Sequence, residues 1–534
     1  MDTSEHTELG NALRFEDWDV LQNNPYIRID KKGTLNLIPQ SIGENGVPEK
    51  IDLTEMTAGE HVGLSGDYYG GNEVELNLPS NRTFNDEFMA FISSYPCENL
   101  GDYLIKEPIT VEEEQTLLKA YKKLANPDVT RNDINTIYKI NDSNYIPFSS
   151  TLNSYAQQLM FYFRVKNYGE ILNRNLAHFT PWSVRVYTLG HHMALKYAAL
   201  SYELSQLVKD GKYESTNEDF NTLLETLAET KNGLSTNNLQ DLAYRYQALA
   251  LGMELFTFHY YTDHFAAGHM SMMGDLRALL PERLGIWGSI LVNNLHDELN
   301  RVGVYTMRPY DPTPDSSEPP TAAGGDGDFD GCMNYFNKKS CLAGMQSSLE
   351  DIRSVLSGGT APEQPDFSGL GQMPDITKTY RQPTPLILLG EDNKIYYRKK
   401  LSKILILSPS EYKALCEAPA EHGYGELKSK RAAFLLVAKL RALPFLYEGK
   451  LQTPTQDELD RIAEEEQDLN PGRMPIPQAP CTTEEEPITV PRWQKPASSE
   501  KMMKGLARNG ISASSNSKAA LFEPREVDNI RFSL

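Results

Sequence analysis

From about residue 152 the chain settles into apolar positions at three- and four-residue spacing, the stripe of an amphipathic helix. The spacing predicts helices over 152–165, 183–210, 239–265 and 286–302, with a further one near 343–356. Pro181 ahead of Trp182 marks a helix entry, and Gly268 and Gly303 mark stops. Residues 1–150 read differently. Short apolar runs are cut by Asn45-Gly46, Gly70-Gly71 and Asn126-Pro127, a pattern that predicts a loop-rich region. Residues 309–330 are rich in Pro, Gly and Asp and predict another long loop. Within it Asp326, Asp328 and Asp330 resemble a fragment of a calcium loop that lacks its closing Glu.

Beyond residue 378 the period shortens. Residues 385–390 and 394–399 flank Glu391-Asp392-Asn393 and predict a β-hairpin. Residues 404–407 predict another strand, followed by helices at 410–416 and 428–443. After Asp457 the chain turns acidic, with Glu464-Glu465-Glu466, and from about 470 it becomes Pro-rich and then Ser/Asn/Lys-rich, a composition expected of a disordered or docking tail. The expected architecture is a mainly α domain with long loops over 1–360, a smaller α+β domain over 361–456, and a flexible acidic and polar extension over 457–534. No internal repeat is evident.

Composition narrows the function. The chain has 534 residues, 40% of them apolar, enough for two or three cores and too many for a wholly disordered chain. Against 52 Lys and Arg stand 73 Asp and Glu, a net charge of −21. Such a surface repels a phosphate backbone, so no nucleic-acid partner is expected. No apolar stretch predicts a membrane span: residues 432–447 are too short and are broken by Lys439, Arg441 and Pro444. The first residues, MDTSEHTELGNALRF, lack a basic start and an apolar run, so no Sec-type signal is expected. The five cysteines include no C-x-x-C pair. Cys332 and Cys341 are near enough in sequence to close a small loop in an oxidising environment.

The histidines carry the chemistry. His259, Asp263 and His269 fall where the 239–265 helix ends: the first two are one turn apart, and Gly268 lets the chain bend His269 back toward them. Imidazole nitrogens and a carboxylate are zinc donors, and the aromatic neighbours Phe256, Phe258, Tyr260 and Tyr261 leave such groups in need of partners. An amphipathic core helix with a stray His is the plainer alternative. Further clusters are His178 before Phe179, the pair His191-His192, and His296 with Asp297 and, one turn on, Asn300. Upstream, the glycines of GEHVGLSGDYYG suit a tight loop pushing His61 and Asp67 toward a common centre. Together these donors exceed what one zinc needs, which points to a multi-metal centre.

The four segments GEHVGLSGDYYG, AHFTPWSVRVYTLGHHMALKYA, FHYYTDHFAAGHM and NNLHDELNRVGV resemble the zinc metallophospholipase C family of Legionella, Pseudomonas and some fungi. A more distant likeness is to bacillary zinc phospholipases C and fungal single-strand nucleases. The resemblance covers roughly residues 55–355. It implies a phospholipase C/nuclease-like helical fold binding two or three Zn2+ ions. His61, Asp67, His178, His259, Asp263, His269 and His296 would be the metal residues, with His192 and Asn300 weaker candidates and His191 or His264 backing a ligand. Asp67 and His61 would be catalytic, Asp67 orienting or deprotonating the attacking water. The reaction implied is hydrolysis of glycerophospholipids such as phosphatidylcholine or phosphatidylglycerol, at a membrane surface, to diacylglycerol and a phosphorylated head group. Tyr68, Tyr69, Phe179 and Trp182 could flank the substrate or pack in the core.

Two departures stand out. The bacillary enzymes have a carboxylate where this chain has Asn300, so Asp297 would have to substitute or a metal would be held loosely. They also ligate metal through a processed N-terminal residue, for which this chain shows no obvious equivalent. The resemblance to members exported by the Dot/Icm type IV system implies a virulence effector secreted into a host cell through its C-terminal tail. Two rivals remain open: a nuclease or other phosphodiesterase on the same metal scaffold, and a non-enzymatic effector that binds a host protein and uses its metals structurally.

Overall fold

The computed structural model describes residues 3–70, 104–146, 150–165, 176–180, 182–230, 232–270, 272–307, 321–323, 335–379 and 381–469. The protein is mainly helical, with a smaller strand-containing region toward its C-terminal end. Two 28-residue helices, Trp182–Lys209 and Thr236–Asp263, pack along each other at its centre. From Arg245 to Asp263 every residue is buried. A helix that is enclosed on all sides is a core helix, and its polar groups must find partners inside the protein. The helices Thr3–Ala12, Ala58–Leu64 and Tyr335–Leu356 close around it.

The loop-rich reading of residues 1–150 holds for 13–57, where turns and short strands include Asn45-Gly46, and is corrected for the other described residues. Besides Thr3–Ala12 and Ala58–Leu64, this part holds the amphipathic helices Val111–Leu124 and Arg131–Asn141. Reciprocal caps between Thr57 and Glu60, Thr110 and Glu113, and Thr130 and Asp133 fix three of the helix starts. Asn126-Pro127 falls in the turn between two helices rather than in a long loop. The GEHVGLSGDYYG segment is likewise helical, not a tight loop: Ala58–Leu64 runs on into a wider π-helical turn, Ser65–Gly70. Its glycines serve close approach. A Cβ on Gly59 would stand 2.1 Å from the carbonyl oxygen of Thr7.

Toward the C-terminus, Ile387–Leu389 pairs with Ile395–Arg398 in the expected hairpin, Leu388 opposite Tyr396, and Asn393 takes the left-handed turn position at φ 59°. Tyr424–Glu426 adds a third strand. Val304–Met307 lies between Thr321–Ala323 and Asp375–Thr379 in another sheet. Strand pairing therefore runs across residue 360, and one hydrophobic cluster extends from Leu9 to Val437. The acidic run after Asp457 lies in a docked helix, Gln456–Leu469: Ile462 is buried, and Glu466 takes Arg381 in a two-pronged pair at 2.9 and 2.6 Å. Residues 470–534 and 324–334, with the tail and the Asp326–Asp330 reading, lie outside the described residues, as does Cys332. Cys341 is a free, buried thiol. Among the described residues no helix is long and apolar enough to cross a membrane.

Candidate metal centre

The last turns of the helix Thr236–Asp263 carry His259 and Asp263 on one face, both buried. His259 Nδ1 donates to the carbonyl of Val62 at 2.8 Å, which leaves the lone pair on Nε2. That atom has no hydrogen-bond partner and stands 3.5 Å from Asp67 Oδ1 and 3.5 Å from Asp263 Oδ2.

Asp263 is the hub. Its Oδ2 accepts from His178 Nδ1 at 2.7 Å, and its Oδ1 lies 3.2 Å from His269 Nδ1 and 3.3 Å from His6 Nε2. His178 comes in on the single turn Leu176–His178, and with Nδ1 bound to Asp263 its Nε2 is a second buried acceptor without a partner. The chain then leaves the long helix, turns at Gly268 and returns His269 on Ala267–His269, as the spacing predicts. His269 Nδ1 donates to the carbonyl of His178 at 3.0 Å, and its Nε2 faces His296 Nε2 at 3.1 Å.

Sequence reasoning misses His6. The helix Thr3–Ala12 slides its ring over that of His259, with centroids 4.0 Å apart. His6 Nδ1 lies 2.7 Å from Thr262 Oγ1, whose own hydrogen goes to the carbonyls of Phe258 and His259. The imidazole must therefore be the donor there, and its Nε2 lone pair is aimed at Asp263. The one available hint is positional: His6 lies on the helix face of Leu9, Gly10 and Leu13, all of them buried.

Asp67 joins from the π-helical turn. Its Oδ2 accepts from Thr3 Oγ1 at 3.2 Å, and its Oδ1 has no hydrogen-bond partner. The turn fits only because residue 66 is glycine: a Cβ there would stand 2.3 Å from His259 Nε2 and 2.6 Å from His178 Cε1. Two triads, His6/His259/Asp263 and Asp67/His178/His259, bring one donor atom from each residue within 4.8 Å of the others and can hold a metal ion.

The electrostatics agree. Burial works to raise the Asp67 carboxyl, but His259, His6 and His178 hold it below the usual carboxylate range. Burial opposes ionisation of Asp263 too, yet His269, His259 and His6 keep it well below that range. Burial pushes His6 down to about 4, and His259 adds to the effect. His269 is held well below its ordinary value, again chiefly by burial. Burial opposes the charge of His259, but Asp67 and Asp263 push it up. Ionised carboxylates thus face the unpartnered Nε2 atoms of His6, His178 and His259, a donor set and a charge deficit that a divalent cation can satisfy.

Several expected residues fall elsewhere. His61 is buried and pushed down to about 4 by burial, but neither ring nitrogen has a hydrogen-bond partner, and no ring or ionic contact joins it to the cluster. His192 is corrected as a ligand: its side chain is 43% exposed and lies 3.5 Å from Glu114 at the surface. Neither His191 nor His264 backs a ligand. His191 sits between Glu254 and Asp351, at 2.9 and 3.4 Å, and Ser183 and the carbonyl of Pro374 hold His264. Asn300 is corrected too. Its Oδ1 accepts from the Gly268 amide, so its Nδ2, a donor, faces His296 Nε2 at 3.3 Å. Asp297 lies 3.2 Å from His296 Nδ1 and orients that ring. Tyr68, Phe179 and Trp182 are buried, and Phe179 packs on His269 at 4.8 Å between ring centroids.

No protein-family model matches the chain, and no curated protein or solved structure is detectably similar to it.

Proposed function

We propose that this protein is a zinc-dependent phosphodiester hydrolase, a phospholipase C that releases diacylglycerol and a phosphorylated head group. One observation carries the reading: the Nε2 atoms of His6, His178 and His259 and the carboxylates of Asp67 and Asp263 converge in one buried cluster, with several donors unpartnered. Side chains from the start, the middle and the end of the helical part meet there. A purely structural polar cluster would satisfy its own hydrogen bonds.

His259 with His6 and Asp263, or with Asp67 and His178, would hold an ion, and His269 with His296 would offer a further position beside it. Bound divalent ions supply a water nucleophile at neutral pH and neutralise charge on the phosphoryl oxygens. The chain's own residues do the rest. Asp67, whose Oδ1 has no hydrogen-bond partner, would orient the attacking water and accept its proton. Asp263 fixes the tautomer of His178, while the carbonyls of Val62 and His178 and the hydroxyl of Thr262 fix those of His259, His269 and His6. The helical resemblance of the four sequence blocks supports the phospholipase C/nuclease-like fold. The net charge of −21 favours a lipid over a nucleic-acid substrate. The same reading takes the chain as a translocated effector.

Elemental analysis of the purified protein, run beside a panel of phospholipid vesicles and single-stranded DNA, tests the proposal. Bound zinc, with lipid cleavage that disappears on chelation and returns with zinc, is the expected result. Cleavage of DNA alone would establish the nuclease. Stoichiometric metal without turnover on either substrate would establish a structural role.

A further inference from the structure

The second anomaly of the chain is a reversal of charge. A protein of net charge −21 contains a segment, 427–447, with Lys428, Lys430, Arg431, Lys439 and Arg441 and no Asp or Glu. It folds as the helix Lys430–Ala442 followed by the short turn Pro444–Tyr447. Ala433, Leu436 and Val437 face the protein. The opposite face carries Arg431, Leu435, Ala438 and Ala442 at helical spacing, with Phe434 and Lys439 on its flanks. Its apolar members stand in solvent: Leu435 is 51% exposed, Phe434 43%, and beyond the helix Phe445 is 73% and Leu446 52% exposed. Ile286, 69% exposed, is next to Trp287, whose ring packs on Phe434 at 4.8 Å between centroids. Large apolar side chains left outside a core in such a group mark an interaction surface.

We infer that this face docks the protein on an anionic lipid bilayer. The argument is charge complementarity joined to shape. A polar, basic partner site for nucleic acid has no use for projecting Phe445, Leu446 and Leu435, and an apolar protein interface has no use for the exposed cations Lys430, Arg431 and Lys439 beside them. A helix with cations beside bulky apolar groups suits the boundary between head groups and acyl chains. Because the rest of the protein is acidic, an anionic membrane repels its other faces and selects this one. The helix Ile286–Val302 begins at this surface, with Ile286 and Trp287, and ends with His296 and Asn300 at the metal centre. The inference does not depend on the proposed reaction, since a lipid-docked nuclease or adaptor would carry the same face.

Flotation of the full-length protein with phosphatidylcholine vesicles, with and without phosphatidylglycerol, tests it. Binding is expected only to the anionic vesicles and is expected to weaken with salt. Each basic side chain near such a surface contributes roughly fivefold, so Lys430→Gln/Arg431→Gln/Lys439→Gln should weaken binding about a hundredfold. Phe445→Ser/Leu446→Ser should abolish flotation while leaving cleavage of a soluble, short-chain substrate and the metal content unchanged. No flotation with any vesicle overturns the inference, as does flotation equal in wild type and both variants. Sedimentation showing a dimer, or RNA retention, that the same substitutions remove in place of vesicle binding would assign the face to that partner and overturn it too. Flotation without lipid cleavage would leave this inference standing and count against the proposed reaction alone.

Discussion

His6 Nε2 lies 3.3 Å from Asp263 Oδ1, which brings the first helix of the chain against the end of its most buried one. The contact makes the N-terminal segment part of the candidate metal centre. Asp263 has four imidazoles around it, so Asp263→Asn should lower metal affinity and turnover by roughly a hundredfold. His6→Ala should lower metal content and remove the fall in melting temperature that a chelator causes in the wild type. Unchanged zinc stoichiometry in both variants, measured by mass spectrometry, would take these residues out of the site.

Gly66 is expected to tolerate nothing larger. Gly66→Ala drives a methyl group into His259 Nε2 and His178 Cε1, and overpacking of this kind costs ~1–3 kcal/mol. Denaturant unfolding with and without zinc checks it. The variant should lose stability and should gain little from added metal.

Asn300 presents Nδ2 to His296. Asn300→Asp replaces that donor with a carboxylate oxygen beside the facing nitrogens of His269 and His296 and should strengthen zinc binding there by roughly tenfold or more. Competition with a chromogenic chelator reads the change, and equal or weaker affinity would rule out a metal position between these rings.

The buried pair of Arg398 and Glu298 ties the C-terminal strands to the helix that carries His296, with contacts of 2.9 and 2.7 Å. Arg398→Met leaves Glu298 buried and unpaired and should cost ~3–5 kcal/mol. The double variant Glu298→Leu/Arg398→Met should recover much of that loss. Chemical denaturation of the two variants decides it.

Stability should also depend on pH through His191. Burial opposes its charge, but Glu254 and Asp351 push it up to about 9. Its folded value exceeds the ordinary one of about 6.5, so the stability it lends is complete below that pH and is lost as pH rises through about 9. His264, which burial pushes down to about 4, acts in the opposite sense: its contribution is complete above about 6.5 and falls as pH drops toward 4. Melting temperatures between pH 7 and 10 should decline more steeply for wild type than for His191→Gln.

Much was legible from local pattern. The long helices, the hairpin about Asn393 and the meeting of His259, Asp263 and His269 follow from period and spacing, because each depends on residues within a few turns of one another. The helix Ala58–Leu64 escaped because its glycines read as turn formers, whereas Gly59 and Gly63 serve close packing against the first helix. His6 escaped for a related reason, since a single histidine in a short helix has no spacing to announce it. Conversely, His61 and His192 look like donors in sequence, but His192 faces solvent beside Glu114 and His61, though buried, joins neither triad.

The sequence alone determined a helical, acidic protein whose chemistry is concentrated in a few histidines and aspartates. Which of them converge was decided only by the fold. Convergence depends on helix packing angles, on the space a missing Cβ leaves at Gly66, and on which ring nitrogen each backbone carbonyl claims. These are relations between residues distant along the chain, and no local pattern encodes them.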